Sequence, residues 1–324
     1  MTNFPDRNEL IIHFAHSAYQ FSDRLAARNT GINAFQTWTP DNTAKRITEG
    51  HVLVVTGFWN NDFIEIGGNL RFIQACGAGY NQFDLDALAS KGLRFANASG
   101  VNVNAVSDHA MALILGLMRK IHLARDNQHS KHWRGMIADI GRREDELADK
   151  TMIIFGMGAI GSRVAHLAKA FEMNVIGVRR NVDAIRSLVD EAYAPGAFTS
   201  LLGRADFVVL TCPLTDDTRN IIDHAALKLI RKDAYLINVA RGGCVDETAL
   251  IGALQTGEIA GAGIDTTVEE PLSTGSALWD ISNVILTPHT AGETQSYEEN
   301  VLDILLENLD RLWRGEGELY NQIV

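Results

Sequence analysis

At 324 residues the chain is long enough for two domains, each with its own buried core. Its 46% hydrophobic and 21% charged residues suit an ordinary soluble globular protein, and a net charge of −11 (29 basic, 40 acidic) argues against nucleic acid and anionic membranes as partners. The longest apolar stretch, 110–118, is far short of a membrane span, no secretory pattern opens the chain, and Cys76, Cys212 and Cys244 make neither a disulfide framework nor a zinc site, so the expectation is a cytoplasmic protein without a metal.

In chain order, residues 10–15, 52–56, 70–76 and 93–98 read as buried strands separated by helical or loop segments, a small βαβ-type unit. Residues 105–127 read as one long helix. Its apolar positions Met111, Leu113, Ile114, Leu117, Met118 and Ile121 form a face too broad for a surface helix, so it should bury against another domain or a second subunit. Within it, His109 is expected to pack or hydrogen-bond. His122, His129 and His132 lie near Asp126 but read as polar helix-end residues rather than metal ligands. Residues 139–150 form a charged surface connector.

The most informative stretch follows. Residues 151–155 form an apolar strand, Gly156, Gly158 and Gly161 form a G-x-G-x-x-G turn, and 162–171 have helical spacing. The first glycine permits a tight turn, the second lets backbone approach a pyrophosphate, and the third lets helix pack on strand. The helix N-terminus offers N–H groups to the anion. A second strand, 174–178, ends in Arg179 and Arg180, where an NAD-specific unit carries an acidic residue. A guanidinium pairs with the 2′-phosphate of NADP and a carboxylate repels it. The expected cofactor is therefore NADP, with NAD possible.

Strands at 207–211, 234–238, 261–264 and 284–287, with helices at 218–230 and 248–256, continue a doubly wound parallel sheet. Residues 296–314 read as an amphipathic helix. The chain should cross between domains near 99–103 and return near 292. That makes residues 1–100 plus 293–324 a substrate domain and 101–292 a dinucleotide-binding domain, with ligands in the cleft between them.

The later strands end in reactive groups: Arg241, then Asp265 with Glu270 on the loop beyond it, then His289. Strand C-termini in such sheets face the ligand crevice. Hydride transfer to a keto acid needs a cation for the carboxylate and carbonyl, a general acid for the developing alkoxide, and a carboxylate to orient that acid. Arginine, histidine and glutamate are suited to these tasks. Taken singly, each has an ordinary reading as a surface charge, a loop histidine or a solvated turn. Together, after a dinucleotide motif, they favour a site.

Nearly end to end, these motifs resemble the D-isomer-specific 2-hydroxyacid dehydrogenases, which include glyoxylate/hydroxypyruvate reductases. Cys76-Gly-Ala78-Gly79-Tyr80 with Phe83-Asp84 is similar to the family's substrate-carboxylate loop. The turn Gly156, Gly158, Ala159, Ile160, Gly161 is similar to its cofactor motif, and Cys212-Pro213 through Thr218 to its nicotinamide-side loop. Ala240-Arg241, the stretch from Asp265 to Glu270, and that from His289 to Gly292 are similar to its catalytic blocks. The resemblance implies an α/β fold of two Rossmann-like domains: a doubly wound cofactor domain, and a smaller flavodoxin-like substrate domain completed by the C-terminal helix. It implies Arg241 on the substrate carboxylate and carbonyl, His289 as acid in reduction and base in oxidation, and Glu270 paired with His289. Backbone at Ala78 and Gly79 would hold the carboxylate, and Asp265 would lie near the nicotinamide amide. The partners implied are a small 2-keto or 2-hydroxy acid and a second copy of the chain, docked through the long helix.

Two departures stand out. Asp108 occupies a position where the family commonly has Glu, and Arg179 one where NAD-preferring members are acidic. Phe58 and Trp59 fall in a loop that borders the substrate side chain in similar enzymes, and they are either selectivity residues or core. Two other functions occur on similar chains, a dinucleotide-sensing corepressor and a phosphite-oxidising enzyme. The absence of a long disordered segment disfavours the first.

Overall fold

Short apolar runs buried on both faces form parallel strands beneath covering helices, and both sheets of this protein are built that way. A computed structural model, describing residues 4–324, divides the chain into two compact units. One runs to Asn102 and resumes with Thr294–Val324; the other is Val103–Glu293.

The first unit contains β1 (Ile11–Ala15), α1 (Phe21–Ala27), β2 (Asn33–Thr37), α2 (Pro40–Arg46), β3 (Val52–Val55), α3 (Phe63–Ile66), β4 (Phe72–Ala75), α4 (Leu85–Ser90) and β5 (Arg94–Ala96). Its five strands are all parallel in the order β2-β1-β3-β4-β5, the flavodoxin arrangement. Alternate residues feed opposite faces. Ile12, Phe14, Val52, Val54 and Phe72 pack against Val301, Leu302, Leu305 and Leu309 of the terminal helix Tyr297–Trp313. Leu53, Val55, Ile73 and Phe95 pack beneath Phe63, Leu88 and Phe83. The tail thus completes this unit's core.

The second unit contains α5 (Val103–Met118), α6 (Ile121–His129), β6 (Thr151–Phe155), α7 (Ala159–Ala170), β7 (Asn174–Val178), β8 (Glu191–Tyr193), α8 (Phe198–Leu201), β9 (Phe207–Leu210), α9 (His224–Leu227), β10 (Tyr235–Asn238), α10 (Glu247–Thr256), β11 (Gly261–Ile264) and β12 (Val284–Leu286). Seven parallel strands lie in the order β12-β11-β10-β9-β6-β7-β8. Strand order reverses between β6 and β9, and ligands bind at such a switch point. Among the described residues no helix is long and apolar enough to cross a membrane.

Three expectations need correction. The helix expected over 105–127 is two helices, broken at Arg119-Lys120. Lys120 adopts a left-handed conformation (φ 51°), and His122 Nδ1 lies 3.1 Å from the Gly116 carbonyl, occupying an acceptor that a continuous helix would bond internally. The broad apolar face, apart from the exposed Ile121, is buried inside its own unit. Val106, Ala110, Leu113, Ile114 and Leu117 pack with α7 and the sheet, and a Cβ on Gly263 would come within 2.9 Å of Leu113 Cβ. The helix expected over 218–230 is only the single turn of α9, capped by Asp223. Residues before it bond instead to the chain after Arg241: Asn220 N–H to the Gly243 carbonyl and Ile222 N–H to that of Cys244. The edge strands β2 and β8 were not anticipated; their half-exposed, mixed sequences lack an apolar run.

Candidate active site

β6 leads directly into the glycine turn. Gly156 has φ +103°, and a Cβ there would stand 2.5 Å from the Cys212 nitrogen. Only glycine fits, because the β6 turn lies against the loop after β9 at the switch point. A Cβ on Gly161 would meet the Gly156 carbonyl at 2.7 Å and Thr211 Oγ1 at 2.8 Å. A Cβ on Gly158 would meet nothing within 4 Å. The first and third glycines are therefore required by packing, whereas the second faces open space. Beside it, α7 begins at Ala159 with no side-chain cap on its N–H groups. A free helix N-terminus with room for an anion fits a dinucleotide pyrophosphate.

Arg179 lies at this turn. Its Nη1 donates to the Met157 carbonyl at 2.9 Å, and its backbone is fixed by the Tyr193 carbonyl at 3.0 Å. Arg180 is exposed, and Asp183, the next carboxylate along, pairs with Arg186 at 2.8 Å. The loop after β9 is held by Thr218, whose hydroxyl donates to the Pro213 carbonyl and accepts from Thr215 N–H, each at 2.7 Å. Cys212 Sγ lies 3.9 Å from Cys244 Sγ. The hydrogen bond between these thiols pushes Cys212 up and Cys244 down from the ordinary thiol range.

Three neighbouring strands carry the reactive groups. Arg241 follows β10. Asn238 closes its turn, accepting from Ala240 N–H and donating to the Arg241 carbonyl, both at 3.1 Å. The Arg241 guanidinium is exposed and, among the described residues, donates once, from Nη1 to the Ala240 carbonyl at 2.7 Å, which leaves donors for a ligand. A Cβ on the next residue, Gly242, would fall 2.0 Å from the Thr267 carbonyl oxygen, so the Arg241 turn is packed on the loop bearing Glu270.

Glu270 Oε1 accepts from Thr267 N–H at 3.1 Å, and its Oε2 lies 2.8 Å from His289 Nδ1. An ionised carboxylate only accepts, so Nδ1 carries the hydrogen and Nε2 is left to exchange a proton with a ligand. His289 has φ 55°, a left-handed conformation costing roughly 1–2 kcal/mol. Asp265 offsets that cost. It is 2% exposed, and Oδ1 accepts from Thr287 Oγ1 (2.6 Å), Thr290 N–H (2.9 Å) and Ala291 N–H (3.1 Å). Its own carbonyl accepts from His289 N–H at 2.8 Å. The anchoring parts played by Asn238, Thr287 and Asp265 escaped sequence reasoning; only the turn-forming chemistry of Asn and Asp hints at them.

The chain has relatives among known proteins in both sequence and fold. Residues 111–291 match the family model described as the NAD-binding domain of the D-isomer-specific 2-hydroxyacid dehydrogenases. A glyoxylate/hydroxypyruvate reductase B of Yersinia pseudotuberculosis is 34% identical over 293 residues, 88% of each chain. This chain belongs to the D-isomer-specific 2-hydroxyacid dehydrogenases. It is an NAD(P)-dependent oxidoreductase, and its cofactor is a nicotinamide dinucleotide. An acyclic imino acid reductase solved with NADPH and D-Arg superposes on the dehydrogenase with TM-score 0.81 at 26% identity, over 97% of this chain and all of that one. A family member from Lactobacillus delbrueckii in its NAD-complexed form shares the fold, with TM-score 0.81 at 24% identity over the same spans.

The remaining expected site residues lie in the first unit. Ala78 and Gly79 are exposed, and among the described residues their N–H groups meet no protein acceptor. Their loop is braced by Asn97, which donates to the Ala78 carbonyl at 2.8 Å, and by Tyr297, whose hydroxyl donates to the Cys76 carbonyl at 2.9 Å. Burial pushes the Cys76 thiol up to about 12. Phe58 and Trp59 are half-buried against this unit's core, Trp59 with its ring 4.7 Å from that of Phe83.

Proposed function

We propose that this dehydrogenase reduces a small 2-keto acid of the glyoxylate or hydroxypyruvate kind to the D-2-hydroxy acid, with NADPH preferred over NADH. The observation that carries the reaction class is the 2.8 Å pair of Glu270 and His289, on loops after adjacent strands beside β10, whose following loop carries Arg241. Bound reduced nicotinamide supplies the hydride. Arg241 binds the substrate carboxylate and polarises its carbonyl through parallel N–H donors. His289 Nε2 gives its proton to the carbonyl oxygen as charge develops there, and takes it back in the reverse direction. Glu270 holds the Nδ1–H tautomer and stabilises the charged ring. We assign the free N–H groups of Ala78 and Gly79 to the substrate carboxylate as well, and Asp265 to the nicotinamide side of the site.

Arg179 supports the choice of NADPH. It places a guanidinium at the glycine turn, where NAD-specific units place a carboxylate. We further propose a cytoplasmic homodimer. Trp133 and Met136 are almost fully exposed on the segment after α6 and Ile140 largely so, a cluster of large apolar side chains that a second copy would cover.

Three measurements check these statements. His289→Ala lowers turnover of 2-keto acids by on the order of 10²–10⁴-fold, the usual worth of a positioned acid–base; near-normal turnover would remove the assignment. Arg179→Asp weakens NADPH binding and spares or improves NADH; unchanged NADPH affinity contradicts the arginine's role. Light scattering of the purified chain reads a dimer, and a monomer at micromolar concentration contradicts the second-copy proposal.

A further inference from the structure

His109 has no part in the chemistry just described, yet its ring touches the group that holds the His289 loop. It projects from α5 with Nε2 2.9 Å from Thr287 Oγ1 and 3.6 Å from Asp265 Oδ1, and its side chain is 23% exposed. Thr287 Oγ1 is in turn 2.6 Å from Asp265 Oδ1. Hydrogen counting fixes the direction of this chain. The Asp265 carboxylate only accepts, so the Thr287 hydroxyl spends its single hydrogen on it. Thr287 Oγ1 must therefore accept from His109, whose imidazole must carry hydrogen on Nε2.

The same Asp265 oxygen accepts from Thr290 and Ala291 N–H, just after His289, while Thr287 holds the chain just before it. Removing the His109 donor leaves the Thr287 hydroxyl free to rotate and to spend its hydrogen elsewhere. Asp265 would keep its backbone donors, so the loop would stay folded but be less firmly fixed. The cost should then fall on turnover rather than on folding or ground-state binding.

We propose that His109 is a positioning residue, whose Nε2–H, donated to Thr287, commits that hydroxyl to Asp265 and thereby fixes the reactive placement of His289. The role rests on His289 being the acid–base of the preceding section. An ordinary buried histidine filling a gap between helix and sheet would show the same distances but none of the following behaviour.

The test uses the full-length protein. His109→Leu keeps apolar bulk and removes the donor. It lowers kcat about 10- to 100-fold, as displaced support around a reacting group does, with KM for the keto acid and Tm close to wild type. His109→Gln retains a side-chain N–H donor and recovers most of the turnover. Combining His109→Leu with Thr287→Val loses no more than the worse single change, because both break one chain. Wild-type kcat in His109→Leu overturns the proposal, as does a Gln variant as slow as the Leu variant, or a lowered Tm with kcat intact. Nitrogen NMR of histidine-labelled wild-type protein gives a reading independent of turnover. Hydrogen on His109 Nε2 supports the chain, and a ring protonated on Nδ1 alone overturns it. Failure of the underlying site assignment is distinguishable, because it appears as normal turnover in His289→Ala.

Discussion

One buried carboxylate governs the arrangement. Asp265 is removed from water, and a charge in that position is tolerable only if its oxygens are well supplied with donors. Thr287, Thr290 and Ala291 supply them, each such bond to an ion contributing on the order of 1.5–3 kcal/mol. The donors come from both sides of His289, so satisfying Asp265 bends the chain there and holds His289 in a left-handed conformation it would otherwise avoid. The ring then meets Glu270 at 2.8 Å with its other nitrogen free. The electrostatic need of one residue thus becomes the geometry of another.

The parallel sheet explains why these groups meet at all. Every strand of the second unit runs the same way, so every strand delivers its following loop to one edge. β10, β11 and β12 are neighbours there, and they contribute an arginine, a carboxylate loop and a histidine. β6 and β9 are neighbours at the point where strand order reverses, and they contribute the glycine turn and the Cys212 loop packed against it. The intolerance of Gly156 and Gly242 to any side chain reflects how closely these loops approach one another. Gly158, by contrast, has open space around it.

Much of this was legible in the chain because burial leaves a strong mark. Central strands such as Thr151–Phe155 and Phe207–Leu210 are continuous apolar runs, and the turn after the first has an obligatory glycine pattern. The βαβ character of the first unit, the doubly wound sheet of the second and the order of the reactive loops follow from those runs, whereas the flavodoxin-like arrangement was implied by the family resemblance. Edge strands carry a weaker signal: Asn33–Thr37 and Glu191–Tyr193 are half-exposed and mixed in composition. The break at Lys120 and the unwound stretch before His224 depend on tertiary partners, His122 with Gly116 in one case and the chain after Arg241 in the other. Local helical spacing has no access to such partners. The bond from His109 to Thr287 spans 178 residues, and nothing near either residue in sequence announces it.

Under the proposed function, this edge of the sheet directs a hydride to the carbonyl carbon of a 2-keto acid while His289 protonates its oxygen. Isotope transfer reads it most directly. With NADPH deuterated at the transferring position of the nicotinamide, and glyoxylate, hydroxypyruvate and longer keto acids offered in turn, the product's C2 is examined by NMR and its configuration by chiral chromatography. Deuterium is expected at C2, with the D configuration wherever C2 is a stereocentre. A hydroxy acid lacking deuterium at C2, an L product, or no hydroxy acid from any of these substrates would contradict the proposed function.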